Sequence, residues 1–392
     1  MDLFAISNRR DPYPLYDQLR ARSPVLHIPA ATGDPGAALW AVLGYDAVKR
    51  VLSDHQAFSA EVGAVRGNSF EWLLFMDPPR HTQLRATISR AFTARTIAGL
   101  EPRIRALAAG LLDAVMDRGE LDLVAELAAP LPMMVIAELL GLPIGDWRRL
   151  VGWSEAIVNL GNTIAGGDGA AAAAEFARAD AEMAEYLGAV VAARRAHPTD
   201  DVISRLATAE VGGDALAEGE ILRFCQLLLA AGTETTTNLI DNAVVCFAAH
   251  PGELARVRAD PELLPCAIEE VLRYRAPVQA MFRATVRPVE LDGTQLPAGA
   301  FVLAMIGAAN RDPARFGDPA RFDAARHPNP HIAFGHGPHF CLGAALSRLE
   351  AEVALDELLR RFAAFEVATD WPPRGSFHVH GPAALRVAFR RA

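Results

Sequence analysis

The sequence predicts a mainly α-helical protein with a smaller β part. From about 81 to 275, apolar residues recur at the three- and four-residue spacing of a helix. Short runs rich in β-branched and aromatic residues lie near both ends, and Asp292-Gly293 between two of them is typical of a hairpin turn. The predicted strands are 24–28, 38–43, 289–291, 301–305 and 385–389.

Length and composition predict one large globular unit. The chain has 392 residues, of which 51% are hydrophobic, and shows neither a repeat nor a linker. We therefore expect a single domain over 1–392. Its β-rich portion is expected at about 20–60, 285–310 and 365–392, and its α-rich portion at about 75–280 and 341–362.

Charge and cysteine usage exclude several classes of protein. The net charge of −9 argues against nucleic acid as a partner. The cysteines, Cys225, Cys246, Cys266 and Cys341, form no CxxC pair, which indicates a reducing compartment without disulfides or a zinc site. Residues 1–24 contain no long apolar run. We expect a cytoplasmic monomer without a signal peptide or a membrane anchor.

The segment 334–343, which reads FGHGPHFCLG, carries the most informative cysteine. Cys341 ends a glycine-rich turn, and an amphipathic run over 344–362 follows at once. The unpaired N–H groups and the dipole of that helix favour a thiolate over a thiol. A thiolate in such a loop can ligate haem iron, which activates dioxygen. The alternative is a buried free cysteine beside an ordinary turn.

This segment resembles the haem-binding loop of the cytochrome P-450 family, F-G-x-G-x-[HR]-x-C-x-G. The matching residues are Phe334, Gly335, Gly337, His339, Cys341 and Gly343. The resemblance runs over nearly the full chain. It implies the cytochrome P-450 fold, a triangular α-rich prism with haem b between a central threonine-containing helix and the cysteine-loop helix. It also implies that Cys341 is the axial iron ligand, that Phe334 packs near the thiolate and that His339 binds a haem propionate.

The run 227–245 is apolar and long enough to cross the core, yet it contains Ala-Gly-Thr-Glu-Thr-Thr at 231–236. Threonines and a carboxylate are poor choices for a buried helix, but a threonine hydroxyl can bond the carbonyl one turn back. Gly232 removes a side chain where a cofactor face could approach. The hexapeptide resembles the family element [AG]-G-x-[DE]-T-[TS]. Ala231 and Gly232 would then lie over the haem, and Glu234 and Thr235 would deliver protons during oxygen activation. A helix with an ordinary polar patch is the alternative.

Two further elements resemble family motifs that hold the cofactor and the scaffold. His81 and Arg85 share a helix face and resemble the D-P-P-x-H-x-x-x-R element, whose His and Arg bind propionates. Arg283 matches another propionate anchor. The family's ExxR helix is represented by Glu270 and Arg273, and a later segment supplies the expected third member. That member is Arg321, so the three would form a buried ion network with a structural role.

The substrate pocket is expected to be lined by 59–74, 156–178, 227–235, 277–282 and 376–380, by position in the family. The candidate wall residues are mostly apolar or small, which favours a small hydrophobic substrate. They are Leu227, Ala230, Val278, Gln279, Met281, Phe377 and Val379.

No flavin or iron–sulfur motif is present in the sequence, so electrons must come from another protein. We expect a ferredoxin and a ferredoxin reductase, and NAD(P)H only indirectly through them. An acidic ferredoxin would dock near the cysteine loop, on Arg90, Arg95 and Arg348.

These observations predict a haem-thiolate monooxygenase that inserts one atom of O2 into a C–H or C=C bond, in the tailoring of a natural product. One alternative keeps the haem-thiolate but couples phenols, forms a ring or desaturates. Another is a haem-binding sensor or carrier without turnover. The Glu234–Thr235 pair disfavours the second alternative, because a carrier needs no proton relay.

Overall fold

The computed structural model of the chain describes residues 3–29, 38–62, 72–90, 92–161, 169–211 and 214–392. Parts of two segments expected to line the pocket, 59–74 and 156–178, lie outside these residues. The helices are α1 (Tyr13–Arg22), α2 (Tyr45–Ser53), α3 (Arg80–Ser89), α4 (Ala94–Ala98), α5 (Glu101–Asp113), α6 (Pro130–Leu140), α7 (Trp147–Gly161), α8 (Gly169–Ala196), α9 (Val202–Ala207), α10 (Glu218–Ala249), α11 (Pro251–Ala259), α12 (Leu264–Tyr274), α13 (Ile306–Ala309) and α14 (Ala344–Arg361). A π-helical segment, Val124–Ala128, precedes α6.

The strands form two larger sheets and two hairpins. They are β1 (Val25–Ile28), β2 (Leu39–Val42), β3 (Phe58–Ser59), β4 (Glu120–Asp122), β5 (Glu210–Val211), β6 (Asp214–Ala215), β7 (Met281–Thr285), β8 (Val289–Leu291), β9 (Thr294–Leu296), β10 (Phe301–Ala304), β11 (Phe362–Val367) and β12 (Arg386–Arg391). The five-stranded sheet has the order β1-β2-β10-β7-β3, and the three-stranded sheet has the order β11-β12-β4. Strands β5 and β6 pair as one hairpin, and β8 and β9 as the other.

The predicted strands are confirmed to within a residue or two at most ends. The predicted turn between β8 and β9 has Asp292 at φ 46° and Gly293 at φ 75°, the left-handed pair that a tight hairpin needs. The β part is nevertheless divided. Strand β2 pairs with β1 and β10 in one sheet, whereas β12 pairs with β11 and with β4, a strand that lies between helices in the sequence. Adjacency in sequence did not indicate this division, because strand pairing is set by packing.

Helix α10 is the centre of the helical layer, and it packs against α6, α7, α8 and α14. Glu218 and Glu220 lie in its first turn, where their negative charges interact favourably with the positive end of the helix dipole. The Glu220 carboxylate also accepts a hydrogen bond from the Ala217 N–H. The second half of α10 is the more deeply buried, with every residue from Thr236 to Val244 buried. No helix among the described residues is both long and apolar enough to cross a membrane.

Candidate active site

The cysteine loop owes its shape to two glycines and to one backbone hydrogen bond. Gly335 and Gly337 adopt φ values of 74° and 75°, which side chains rarely tolerate. A Cβ on Gly337 would also lie 2.7 Å from Ser53 Cα, so the loop can pack on α2 only with glycine there. The Cys341 N–H donates to the Phe334 carbonyl at 2.9 Å. The loop therefore presents Cys341 just before the first turn of α14.

The Cys341 sulfur lies beside the start of α14, as predicted, and the Gly343 N–H donates a hydrogen bond to it. The pKa of the thiol is nonetheless raised, not lowered. Burial has the largest effect, and it outweighs the opposing influences of Gly343, Arg85 and Arg348. The start of the helix therefore favours the thiolate, as predicted, but its effect is smaller than that of burial. A buried thiolate here needs a cation at the sulfur, which a ligated iron would provide.

Behind the loop, Arg348 is fully engaged. Its guanidinium lies 4.4 Å from the ring centre of Phe334 and donates to both carboxylate oxygens of Glu269, at 2.6 and 2.9 Å. Burial alone would raise the pKa of the Glu269 carboxyl. Hydrogen bonds from Arg348 and His331 outweigh burial and lower this pKa to about 2. Arg348 thus fixes Phe334 behind the cysteine loop. The predicted docking patch loses one of its three cations, because this side chain is already paired.

The four predicted propionate donors come together although they lie on three separate segments of the chain. The rings of His81, on α3, and His339, on the cysteine loop, have centroids 4.1 Å apart. Arg283, on β7, and Arg85, on α3, are close enough to lower the pKa of both histidines. His81 and Arg283 are 1% and 3% exposed, so this is a buried cluster of cationic and neutral donors.

The donor cluster is incomplete in a way that fits haem. Both ring nitrogens of His81 and Nε2 of His339 are buried without a hydrogen-bond partner. Burial, reinforced by the neighbouring arginines, lowers the pKa of His81 to about 4 and that of His339 to about 3. Burial also lowers the pKa of Arg283 to about 10. Unsatisfied buried donors and crowded cations need an anionic acceptor, and the two propionates of haem are such acceptors.

The threonines of α10 bond the carbonyls one turn back, as predicted. Thr233 Oγ1 donates to the Leu229 carbonyl at 3.0 Å, and Thr235 Oγ1 donates to the Ala231 carbonyl at 2.8 Å. These bonds let hydroxyls sit inside a buried helix. Ala231 is exposed although it lies in the middle of the central helix, so the helix presents an open face at this residue.

Gly232 has a role other than the predicted one. A Cβ at this position would lie 2.8 Å from Cδ1 of Ile136, on α6. The missing side chain therefore makes room for a neighbouring helix rather than for a cofactor face. Of Ala231 and Gly232, it is Ala231 that lies on the open face of α10.

Glu234 is a largely buried acid in the middle of the central helix. Its side chain is 14% exposed, and Oε1 lies 3.9 Å from Arg374 Nε. Burial raises its pKa, an effect that Arg374 opposes and Glu155 reinforces. A carboxyl group whose pKa is raised, and which has no hydrogen-bonded partner among the described residues, is suited to exchanging a proton with its surroundings.

Comparison with known proteins decides the family. The sequence model of the family described as Cytochrome P450 matches residues 171–375. The cytochrome P450 monooxygenase PikC of Streptomyces venezuelae is 40% identical over 97% of this chain and 92% of its own length. The chain belongs to the cytochrome P450 family. Cyclomarin C epoxidase CymV of Salinispora arenicola is 42% identical, over 90% of this P450 and 91% of its own length.

Solved structures agree. CYP109E1 of Bacillus megaterium in complex with testosterone has a TM-score of 0.86 and 37% identity, and the match covers 97% of this chain and 99% of that one. The prediction of a cytochrome P450 fold is therefore confirmed. The P450 is an oxidoreductase of the monooxygenase type, and its family uses haem and O2.

The ion network of the P450 exists, but one predicted member is wrong. Glu270 and Arg273 are fully buried and form a bidentate pair at 2.8 Å. Arg321 is 60% exposed and contributes only its carbonyl, which accepts from Arg273. The third cation is Arg326, whose Nε donates to Glu270 Oε1 at 3.1 Å. The motif predicted an arginine from this region, and the loop geometry decided which one.

The predicted pocket-wall residues of the P450 fall into two groups. Leu227, Val278 and Met281 are partly exposed, as a wall residue must be, whereas the rest are buried. Gln279 is 1% exposed, and its amide donates to the Ala276 carbonyl at 2.6 Å, so it is a core residue. Phe377 packs in the core against other aromatic rings. The buried residues are Ala230, Gln279, Phe377 and Val379.

Two groups of functional interest were missed. Thr236 on α10 lies 3.0 Å from Ser347 Oγ on α14 and donates to Glu350, whose pKa burial raises to about 8. Arg374 reaches Glu234 from the C-terminal region. The sequence signal for the first group was weak, since Ser347 and Glu350 merely share a helix face. Nothing in the sequence indicates the second.

Proposed function

We propose that this P450 inserts one atom of O2 into a C–H or C=C bond of a small hydrophobic molecule, in the tailoring of a natural product, with electrons from a ferredoxin and its reductase. The observation that carries the proposal is the joint presence of a buried Cys341 thiol at the start of α14, an incomplete anion-binding cluster, and an acid–alcohol pair on α10.

Each part of the chain has a distinct task in this reaction. Bound haem supplies the redox chemistry that splits O2, so that one oxygen atom enters the substrate and the other leaves as water. Cys341 would ligate the iron, and the loop glycines hold its sulfur beside the Gly343 N–H. His81, His339, Arg85 and Arg283 would bind the propionates and so orient the cofactor.

The central helix would supply protons. The Thr235 hydroxyl is anchored on the Ala231 carbonyl, next to the open face of the helix. Glu234, with a raised pKa, can hold a proton and release it toward this region. A passive haem carrier has no use for such a pair, which is why we favour turnover over sensing.

The substrate class is proposed from the wall residues and from the relatives. The partly exposed Leu227, Val278 and Met281 are apolar, which suits a hydrophobic ligand. CYP109E1 has been crystallised with testosterone and also with corticosterone. Because one relative is a cyclomarin C epoxidase, C=C oxidation stays a candidate beside hydroxylation. Testosterone, corticosterone and cyclomarin C are therefore the first compounds to test.

The electron donor would dock near the cysteine loop. Arg90 and Arg95 are exposed, and neither forms an ion pair with another described residue. An acidic ferredoxin could pair with both. Exchanging both for alanine should raise the ferredoxin concentration needed for half-maximal NADH oxidation, and unchanged kinetics would rule this surface out.

The test of the haem assignment is the optical spectrum of the reduced protein under carbon monoxide. Wild-type protein should show a Soret band shifted far to the red, as thiolate ligation requires, and Cys341→Ser should lose it. Cys266→Ser is the matched control, because Cys266 is a free and exposed cysteine. A red-shifted band that survives in C341S would contradict the assignment.

The test of the proton pair uses a compound that changes the ferric spin state on binding. Thr235→Ala should keep consuming NADH while product falls by on the order of tenfold to a hundredfold, since proton delivery typically contributes at least that much. Equal product per NADH in wild type and T235A would contradict the proposed role.

A further inference from the structure

A cavity of about 190 Å³ adjoins the central helix on the side of Glu234. Three residues of α10 line this cavity, namely Thr233, Glu234 and Thr237. Ala231 and Thr235 do not line it. The cavity is therefore distinct from the open face of the helix. Among the described residues, Glu234 is the member of the proposed proton pair that lines the cavity.

The remaining lining is rich in polar side chains and joins two distant parts of the chain. Helix α7 and the C-terminal region both contribute. The polar lining residues from these parts are Ser154, Glu155, Asn159, Arg374 and Ser376. Polar cavities of this size hold water, and at roughly 30 Å³ per molecule there is room for several. Glu155 and Asn159 are exposed, so the cavity opens to solvent along α7.

Glu155 is the acid on the solvent side. It is exposed, yet it lines the same cavity as Glu234 and is close enough for its charge to raise the pKa of Glu234. The cavity therefore has a carboxyl group at the solvent side and another on the central helix. Two carboxyl groups separated by water are an arrangement that conducts protons.

Arg374 lies close to Glu234 but does not form a hydrogen bond with its carboxylate. Its Nε donates to Asn238 Oδ1 at 2.8 Å and stays 3.9 Å from Glu234 Oε1, beyond hydrogen-bond distance. Asn238 lies one turn after Glu234, so the arginine is anchored on the same helix face. The cation can thus orient the carboxyl while leaving its oxygens free to exchange protons with water.

We propose that Glu155 takes up protons from solvent and passes them through water in this cavity to Glu234, which Arg374 positions. In each transfer the Glu155 carboxylate accepts a proton from a hydronium ion and gives it to a cavity water. A cavity water then gives a proton to the Glu234 carboxylate. At the end of the transfer Glu155 is again ionised. The assignment rests on the proposed function, in which Glu234 serves oxygen reduction. Glu155 and Arg374 are positioning residues in this scheme, because neither touches the reacting atoms.

The test compares Glu155→Gln, Glu155→Asp and the control Glu185→Gln in the haem-loaded enzyme with a surrogate ferredoxin and reductase. Glu185 is an exposed glutamate on α8 that does not line the cavity. E155Q should slow NADH oxidation on the order of tenfold, less than the loss expected for a direct acid–base catalyst, and should enlarge the rate ratio between H2O and D2O. E155D should restore most of the rate, and E185Q should match wild type.

A second readout does not depend on turnover. Infrared difference spectra, with Glu234→Gln as the reference, follow the protonation of Glu234 directly. E155Q removes a negative charge and should lower the pKa of Glu234, whereas Arg374→Gln should raise it and Arg374→Lys should restore it. If the pKa of Glu234 is the same as in wild type in both E155Q and R374Q, the assignment is wrong.

The failure of this inference can be told from failure of the proposed function. If E234Q slows NADH oxidation but E155Q does not, protons reach Glu234 by another route and Glu155 has no part. If E234Q itself leaves rate and isotope effect unchanged, the proton role of Glu234 is wrong. A carbon monoxide spectrum like that of wild type in every variant shows that the haem site is intact.

Discussion

The ion network of Glu270, Arg273 and Arg326 and the cluster of His81, His339 and Arg283 both bury polar side chains, but they differ in their partners. All five N–H donors of Arg273 find acceptors, and both oxygens of Glu270 accept several hydrogen bonds. The cluster, by contrast, leaves three ring nitrogens without partners.

The difference separates residues that build the scaffold from residues that await a ligand. A satisfied buried network needs nothing further, although it is costly to disturb. An unsatisfied one destabilises the protein until an external group completes it. Burial alone therefore does not identify a binding site, whereas burial with orphaned donors does.

The largest expected effect comes from breaking the complete network. Arg273→Ala should cost about 3–5 kcal/mol of unfolding free energy, because it leaves the buried Glu270 charge without its main partner. Urea denaturation of the haem-loaded protein measures this. The double variant Glu270→Leu with Arg273→Met removes both charges and should lose less stability. A larger loss in the double variant would show that the network itself stabilises the fold.

A smaller effect distinguishes the two candidate third members. Arg326→Ala should cost about 1–3 kcal/mol, since it removes a charge-assisted hydrogen bond to Glu270. Arg321→Ala is the matched control and should change stability by less than about 0.5 kcal/mol, because its side chain is exposed. Equal losses from the same urea measurement would contradict the replacement of Arg321 by Arg326.

The incomplete cluster should behave in the opposite way. Arg283→Met should raise the unfolding free energy of the haem-free protein by about 1 kcal/mol, because it removes a buried cation that forms no ion pair with any of the described residues. The same change should speed loss of haem to a scavenger such as apomyoglobin. If both forms of the protein were destabilised, Arg283 would belong with the scaffold.

A further expected effect is a pH dependence of the unfolding free energy of the haem-free protein. Burial lowers the pKa of His81 in the folded protein to about 4. In the unfolded chain its pKa is about 6.5, so between these two pH values the unfolded state is protonated at His81 and the folded state is not. Within that window stability should fall as pH falls, by at most about 1.4 kcal/mol per pH unit from this group.

The control for the pH effect is His81→Asn, which removes the titrating group. Its unfolding free energy should vary less between pH 6.5 and 4 than that of the unsubstituted haem-free protein. The haem-loaded protein should also show a flatter dependence, because the propionates favour the charged imidazole. Identical slopes in all three proteins would exclude His81 as the source.

Much of the fold could be predicted where the signal is local. The helix predicted over 344–362 is α14, and the predicted turn at Asp292-Gly293 has the expected left-handed backbone. These features depend on the residues themselves and on their near neighbours. The membership of β11 and β12 in a separate sheet with β4 depends on distant strands, and periodicity carries no information about it.

The same distinction applies to the site. The sequence by itself determined the cysteine loop, the threonine-rich helix and the identity of the four predicted propionate donors, because the family motifs give their positions. Only the tertiary structure decided that Arg326 and not Arg321 reaches Glu270, that Ile136 occupies the space beside Gly232, and that Arg374 faces Glu234. These contacts join residues far apart in the chain, and such contacts are set by how helices and loops pack rather than by local propensity.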